Sequence, residues 1–128
     1  MDRQLYVDKI LETENLTDNL EDEDANKLLN WGIAHIDKLI SGIENDDEAG
    51  EKINGLMHVM RGLNSLAGNP ASISHEKIAD LLERYAAVAD GKLKVSEDER
   101  RSLVERVSKM QPGEVVHFLT EWLQTKKS

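Results

Sequence analysis

The sequence predicts an all-α fold, a compact bundle of five to six amphipathic helices with short loops. Three observations lead there. Apolar residues recur at steps of three and four along most of the chain, the period of a helix with one buried face. Helix-start and helix-stop residues fall between these stripes. No segment alternates polar and apolar residues for long enough to make a convincing strand. With one phenylalanine, two tyrosines and two tryptophans in 128 residues, the core must be mainly leucine, isoleucine, valine and methionine.

Residues 3–14 open the chain as a short helix-like run, with Leu5, Val7, Ile10 and Leu11 as its apolar positions. Thr17 and Asp18 are turn or cap residues. The longest and cleanest stripe follows: Ala25, Leu28, Leu29, Ile33, Ile36, Leu39, Ile40 and Ile43, with Trp31 at its margin. The rest of the chain is expected to be organised around this helix, which should end near Gly42 to Asn45. Glu21 to Asp24 stand in its first turn, where carboxylates face the positive end of the helix dipole. Each gains a few tenths of a kcal/mol there, so the acidic cluster needs no ligand. Gly32 lies inside the helix, where glycine costs about 1 kcal/mol against alanine. Close approach of another helix would explain it. Trp31 and Gly32 therefore mark a candidate interaction surface, either a crossing within the bundle or a contact with a second copy.

The next helix should be capped by Asp46 or Asp47. Its stripe is Ile53, Leu56, Met57, Met60, Leu63, Asn64 and Ala67, with Gly68 at the C′ position and Asn69-Pro70 closing it. Ser74 reads as the N-cap of the following helix, and Ile73 and Ile78 have the spacing of a hydrophobic staple. That helix carries Ile78, Leu81, Leu82, Tyr85, Val88 and Ala89 and should stop at Gly91. Ser96 and Glu99 form a capping box ahead of Leu103, Val104, Val107 and Met110. Pro112 suits the first position of a last helix with the stripe Val115, Phe118, Leu119, Trp122 and Leu123.

A chain of this length suits one domain, 1–128, with residues 1–20 expected as a loosely docked N-terminal helix and turn. The net charge is −9, and it is uneven: residues 1–50 hold 14 acidic and 4 basic side chains, the remainder 11 and 12. The acidic half repels nucleic acid and anionic membranes. The absence of cysteine excludes disulfides, thiolate zinc sites and a cysteine nucleophile. The N-terminus is charged from Asp2 and has no apolar core of a secretory leader, and no apolar run approaches bilayer length. A cytoplasmic location is the expectation.

Familiar chemistry is mostly missing. His117 follows Glu114 by three residues, but a di-metal carboxylate site needs two such pairs and two further glutamates. Asn45 to Gly50 has the glycine of a calcium loop, yet Ala49 stands at its fifth place and Leu56 cannot supply the closing carboxylate. There is no phosphate-cradling glycine loop, no GxSxG and no HExxH. His75 follows a cap and should be exposed, while His35 lies off the main stripe of its helix.

One spacing stands apart. His58-x-x-Arg61-Gly62 followed by Gly68 resembles the motif of histidine-phosphotransfer domains. The resemblance covers about the middle half of the chain and extends to the Asp90-Gly91-Lys92-Leu93 turn. It implies a helical bundle with His58 as an exposed phosphoacceptor, Arg61 one turn on to meet the phosphoryl group, and small residues that admit a partner. Leu63 and Asn64 depart from the small residues usual after the glycine. The reading from the residues alone is a helical histidine at the edge of the core, partly buried beside Met57.

Lys92, Lys94, Arg100, Arg101, Arg106 and Lys109 cluster around the fifth helix. A nucleic-acid-associated factor using the basic helix 99–110 is one reading. Glu97, Asp98, Glu99 and Glu105 are interleaved, however, and no aromatic ladder accompanies them, which favours a solvated face with ion pairs. The expectation is a non-enzymatic protein-protein interaction or regulatory module with no cofactor, no membrane association and no small-molecule substrate. Its partner is another protein or a second copy, and nucleic acid is not expected.

Overall fold

A computed structural model describes residues 3–88 and 93–127. Six α-helices and no strand occur among the described residues, of which 79% are helical, an all-α bundle. The helices are α1 (Arg3–Glu12), α2 (Asp22–Ile40), α3 (Asp46–Gly68), α4 (His75–Val88), α5 (Glu97–Val107) and α6 (Pro112–Lys127), with a single 3-10 turn at Pro70–Ser72 between α3 and α4. The expected Ala89-to-Gly91 end of α4 and the Asp90-to-Lys92 turn lie outside the described residues.

The hub is α3, not the longer stripe of α2. α3 packs against α2, α4 and α6, and Ile53, Val59, Met60, Leu63 and Ala67 are fully buried along it. The reason α2 looks more dominant in sequence is physical. A helix covered on one side shows one clean stripe, whereas a helix covered on several sides spreads its apolar residues around the axis. Val59 and Leu66, both buried, lie off the α3 stripe and blur it.

Local chemistry sets the helix ends. Asn45, rather than Asp46 or Asp47, caps α3: its Oδ1 accepts from the amides of Asp47 at 2.8 Å and Glu48 at 3.3 Å. The aspartates occupy the first turn instead, where the dipole favours them. α2 stops at Ile40, short of Ile43, because Gly42 turns into left-handed backbone at φ +79°, a conformation glycine adopts without steric cost. Gly68 is not a left-handed cap. It ends α3 as a helical residue, and an added Cβ would lie 2.5 Å from Asn19 Nδ2; the close loop is what requires glycine.

Ser74 Oγ accepts from the Lys77 amide at 3.3 Å, and Ile73 and Ile78 are both buried, as the cap and staple require. The Ser96–Glu99 capping box is complete. Glu99 also accepts from Lys126 Nζ at 2.5 Å, tying α5 to the end of α6.

α1 docks on its own chain. Tyr6, Val7 and Ile10 are buried, Arg3 Nε pairs with Asp37 at 2.7 Å on α2, and Lys9 Nζ donates to Asn54 at 2.9 Å on α3. Leu5 and Leu11 are not part of the inner face; they remain 61% and 53% exposed. The inner face of α6 is also rotated from expectation. Val116 and Thr120 are buried with Val115, Leu119 and Leu123, while Phe118 and Trp122 are only half-buried.

Candidate functional site

The exposed strip of α3 includes Glu51, Asn54, His58, Arg61 and Ser65 at helical spacing. His58 is exposed, not partly buried, although Met57 and Val59 on either side of it are core residues. A turn of 100° per residue is enough to separate them. Arg61 stands one turn further on and is exposed too.

The second basic group comes from α4. Arg84 Nη1 donates to the backbone oxygen of His58 at 3.0 Å, and Arg84 Nε pairs with Asp80 at 2.9 Å. Asp80 and Arg84 are one helical turn apart, the favourable order for an ion pair with the acid nearer the N-terminus. Gly62 makes the reach possible. A Cβ there would sit 3.2 Å from both Arg84 Nη1 and Leu81 Cδ1, so any side chain would press on the guanidinium. Gly62, Ser65, Lys77 and Arg84 line part of a groove of about 270 Å³ between α3 and α4. Lys77 is held by Ser72, whose carbonyl and hydroxyl oxygens lie 3.2 and 3.1 Å from its Nζ. Glu76 and Asp80 line the same groove, so its two carboxylates balance Lys77 and Arg84, and the exposed Arg61 beside it adds one positive charge next to the exposed imidazole.

On the other side of the strip, buried Asn64 fastens the loop before α2. Its Oδ1 accepts from the Asn19 amide at 3.0 Å, and its Nδ2 donates to Asp18 at 2.5 Å and to the Asn15 carbonyl at 3.3 Å. Asn19 Nδ2 returns a bond to the Asn64 carbonyl at 3.1 Å. A polar residue inside an apolar stripe is the sequence signal for this network.

Trp31 and Gly32 are not an open surface. Trp31 is 9% exposed, and a Cβ on Gly32 would meet Met60 Sδ at 2.6 Å. Gly32 is the crossing point of α2 over α3. His35, off the main stripe of α2, is nonetheless buried, and its Nδ1 donates to the Trp31 carbonyl at 2.8 Å. Its ring packs on Trp31 with centroids 4.3 Å apart.

His75 is exposed. His117 lies 3.4 Å from Glu121, not beside Glu114; Glu114 instead accepts from the Gln111 amide at the start of α6. No group of three or more potential metal-ligating side chains forms among the described residues. Around α5, Arg101 lies 3.7 Å from Glu97 and 3.5 Å from Asp98, and Arg106 stacks over the Phe118 ring at 4.6 Å. Part of that basic cluster is thus engaged within its own chain. Among the described residues no helix is long and apolar enough to cross a membrane.

Arg84 is the site residue that sequence reasoning missed. It is 26 positions from His58, and its only local mark was an aspartate four residues earlier. Scans of protein-family models, curated proteins and solved structures return no match to this chain.

Proposed function

We propose that this chain is a non-enzymatic protein-interaction or regulatory module of the cytoplasm, and that its working face is the α3 strip carrying His58 and Arg61. One observation carries the reading: Arg61 and Arg84 flank an exposed His58 above Gly62 on an otherwise acidic protein. A local positive patch on an acidic molecule orients an incoming acidic surface and disfavours wrong approaches. A photo-crosslinking amino acid at exposed Ser65 tests it, with exposed Glu105 as the control position. Adducts to a specific protein are expected from position 65. Adducts from position 105 alone, or from neither, would contradict the reading.

A second, sharper reading makes His58 a phosphoacceptor. What favours it is that the imidazole is exposed and makes no hydrogen bond through its ring among the described residues, while Arg61 follows one helical turn on and Arg84 reaches the His58 backbone carbonyl from α4. Charge-assisted hydrogen bonds from such groups suit a phosphoryl anion. Acid-labile phosphate on the wild-type chain that vanishes in His58→Gln is the expected result, and no labelling in the presence of native-host extract and ATP would remove the reading.

A further inference from the structure

The exposed strip of α3 is complementary to its own reverse. Glu51, Asn54, His58 and Arg61 follow one another at steps of three, four and three, the spacing of residues that share one helix face. A two-fold axis crossing α3 at the height of Leu56 would lay a second α3 antiparallel on the first. Position 51 then faces position 61 of the other copy, and position 54 faces position 58. Each Glu51 carboxylate meets an Arg61 guanidinium, each Asn54 amide meets a His58 ring, and both pairs form twice. Within one chain Glu51 and Arg61 stand about 15 Å apart along the helix, too far to pair.

These four side chains are available. All are exposed. Among the described residues, neither Glu51 nor Arg61 makes an ion pair, and the His58 ring makes no hydrogen bond. Asn54 Oδ1 accepts from Lys9 Nζ at 2.9 Å. That bond fixes the amide and leaves its Nδ2 as a donor, which a neutral imidazole can accept.

α1 adds an apolar group. The Lys9–Asn54 bond and Thr13 Oγ1, 3.6 Å from Met57 Sδ, set α1 beside the first half of α3 and running the same way. Leu5 shares the Lys9 side of α1 one turn earlier, level with the Glu51 end of the strip, and is 61% exposed. Against association stand the net charge of −9 on each copy and the exposed Glu12 on the same side of α1. An interface confined to this strip belongs with the small, transient class below about 1,200 Å².

Resting on the reading of the α3 strip as the working face, we infer that its partner is a second copy of this chain, joined antiparallel by reciprocal Glu51–Arg61 and Asn54–His58 pairs.

Sedimentation equilibrium of the full chain, up to about 1 mM, tests it. A reversible monomer–dimer equilibrium is expected. Glu51→Arg alone and Arg61→Glu alone each set like charges together at both ends of the strip, and each should weaken the dimer at least about tenfold. The variant carrying both changes restores two opposite-charge pairs and should regain most of the wild-type affinity. An equimolar mixture of the two single variants should form a heterodimer, because each supplies the charge the other lacks. That rescue excludes misfolding as the cause of the single losses, and it should fade as salt rises. Leu5→Ser should weaken every one of these dimers. A chain that stays monomeric, a dimer indifferent to both reversals, or single variants that do not associate when mixed overturns the inference. If the chain is monomeric while position 65 crosslinks a different protein, the working-face reading stands and only the second copy falls. If neither occurs, both fall.

Discussion

Asn64→Ala should loosen the loop before α2 and lower stability by about 2.5–4 kcal/mol. Asn64 is 4% exposed and makes three side-chain hydrogen bonds, to the Asn19 amide, the Asn15 carbonyl and the Asp18 carboxylate. Neutral bonds contribute about 0.5–1.5 kcal/mol each and one to a charged group about 1.5–3. Because Asn15, Asp18 and Asn19 are exposed, water can replace part of what is removed, which holds the sum to its lower half. For 128 residues the unfolding entropy is about 0.27 kcal/mol/K, so about 3 kcal/mol corresponds to a fall in Tm of about 11 °C. Asn64→Asp should cost more, since it removes both donors and sets a carboxylate against Asp18. Calorimetry reads both variants, and amide exchange at residues 15–19 should accelerate in each. A Tm for Asn64→Ala within about 2 °C of wild type, or unchanged exchange in the loop, would refute the reasoning.

Tyr85→Phe should stabilise the protein. The Tyr85 hydroxyl is buried without a partner, and an unsatisfied polar group costs about 1–3 kcal/mol, so a Tm rise is expected in a thermal melt. Burial also holds the Tyr85 phenol above its ordinary value of 10.0. Its contribution is therefore complete below about pH 10 and is lost as pH rises beyond that; alkaline unfolding should begin at higher pH in the phenylalanine variant. Glu99 shows the opposite sign. Its hydrogen bond from Lys126, then the one from the Ser96 amide, holds its carboxyl below the ordinary 4.5, so the stability difference between wild type and Glu99→Gln should be present at neutral pH and vanish as acid titrates the group in urea titrations. Gly113→Ala displaces the half-exposed Asp24 carboxylate against a helix-propensity gain of about 1 kcal/mol, so its melting temperature should stay within a few degrees of wild type while the Asp24 side-chain resonances shift. At the crossing point, Gly32→Ala overpacks fully buried Met60 against a helix-propensity gain of about 1 kcal/mol; a double-mutant cycle with Met60→Val should give a favourable coupling energy, and additivity would contradict the assigned contact.

Much of the fold was legible because it is written in local chemistry. The α4 staple, the α5 capping box and Pro112 at the start of α6 each depend on residues within five positions of one another, and each is found. The Gly32 crossing was legible because a glycine deep inside a good helix carries an energetic cost that something must offset. The hub was not legible: α3 is covered from several directions, and multiple coverage erases the periodicity by which helices are recognised. The burial of His35 was not legible for a related reason, since a bond to the carbonyl four residues back makes a buried imidazole tolerable on a face that apolar counting leaves out. At the candidate site, His58 and Arg61 share a turn and were visible together. Arg84 was not, because only packing of α4 on α3 brings it to His58. The exposure of His58 depends on one residue's phase around the axis, which the neighbouring Met57 obscured.

The most direct test of the α3 face compares two baits in the native host's extract: tagged wild-type chain and Arg61→Glu, with matched helicity and melting temperature. Captured proteins are quantified by mass spectrometry. The account predicts a defined partner retained by wild type and reduced about tenfold or more by the charge reversal, about 1.4 kcal/mol of binding free energy. Equal recovery of the same partner by both baits would contradict it and move the working surface off α3.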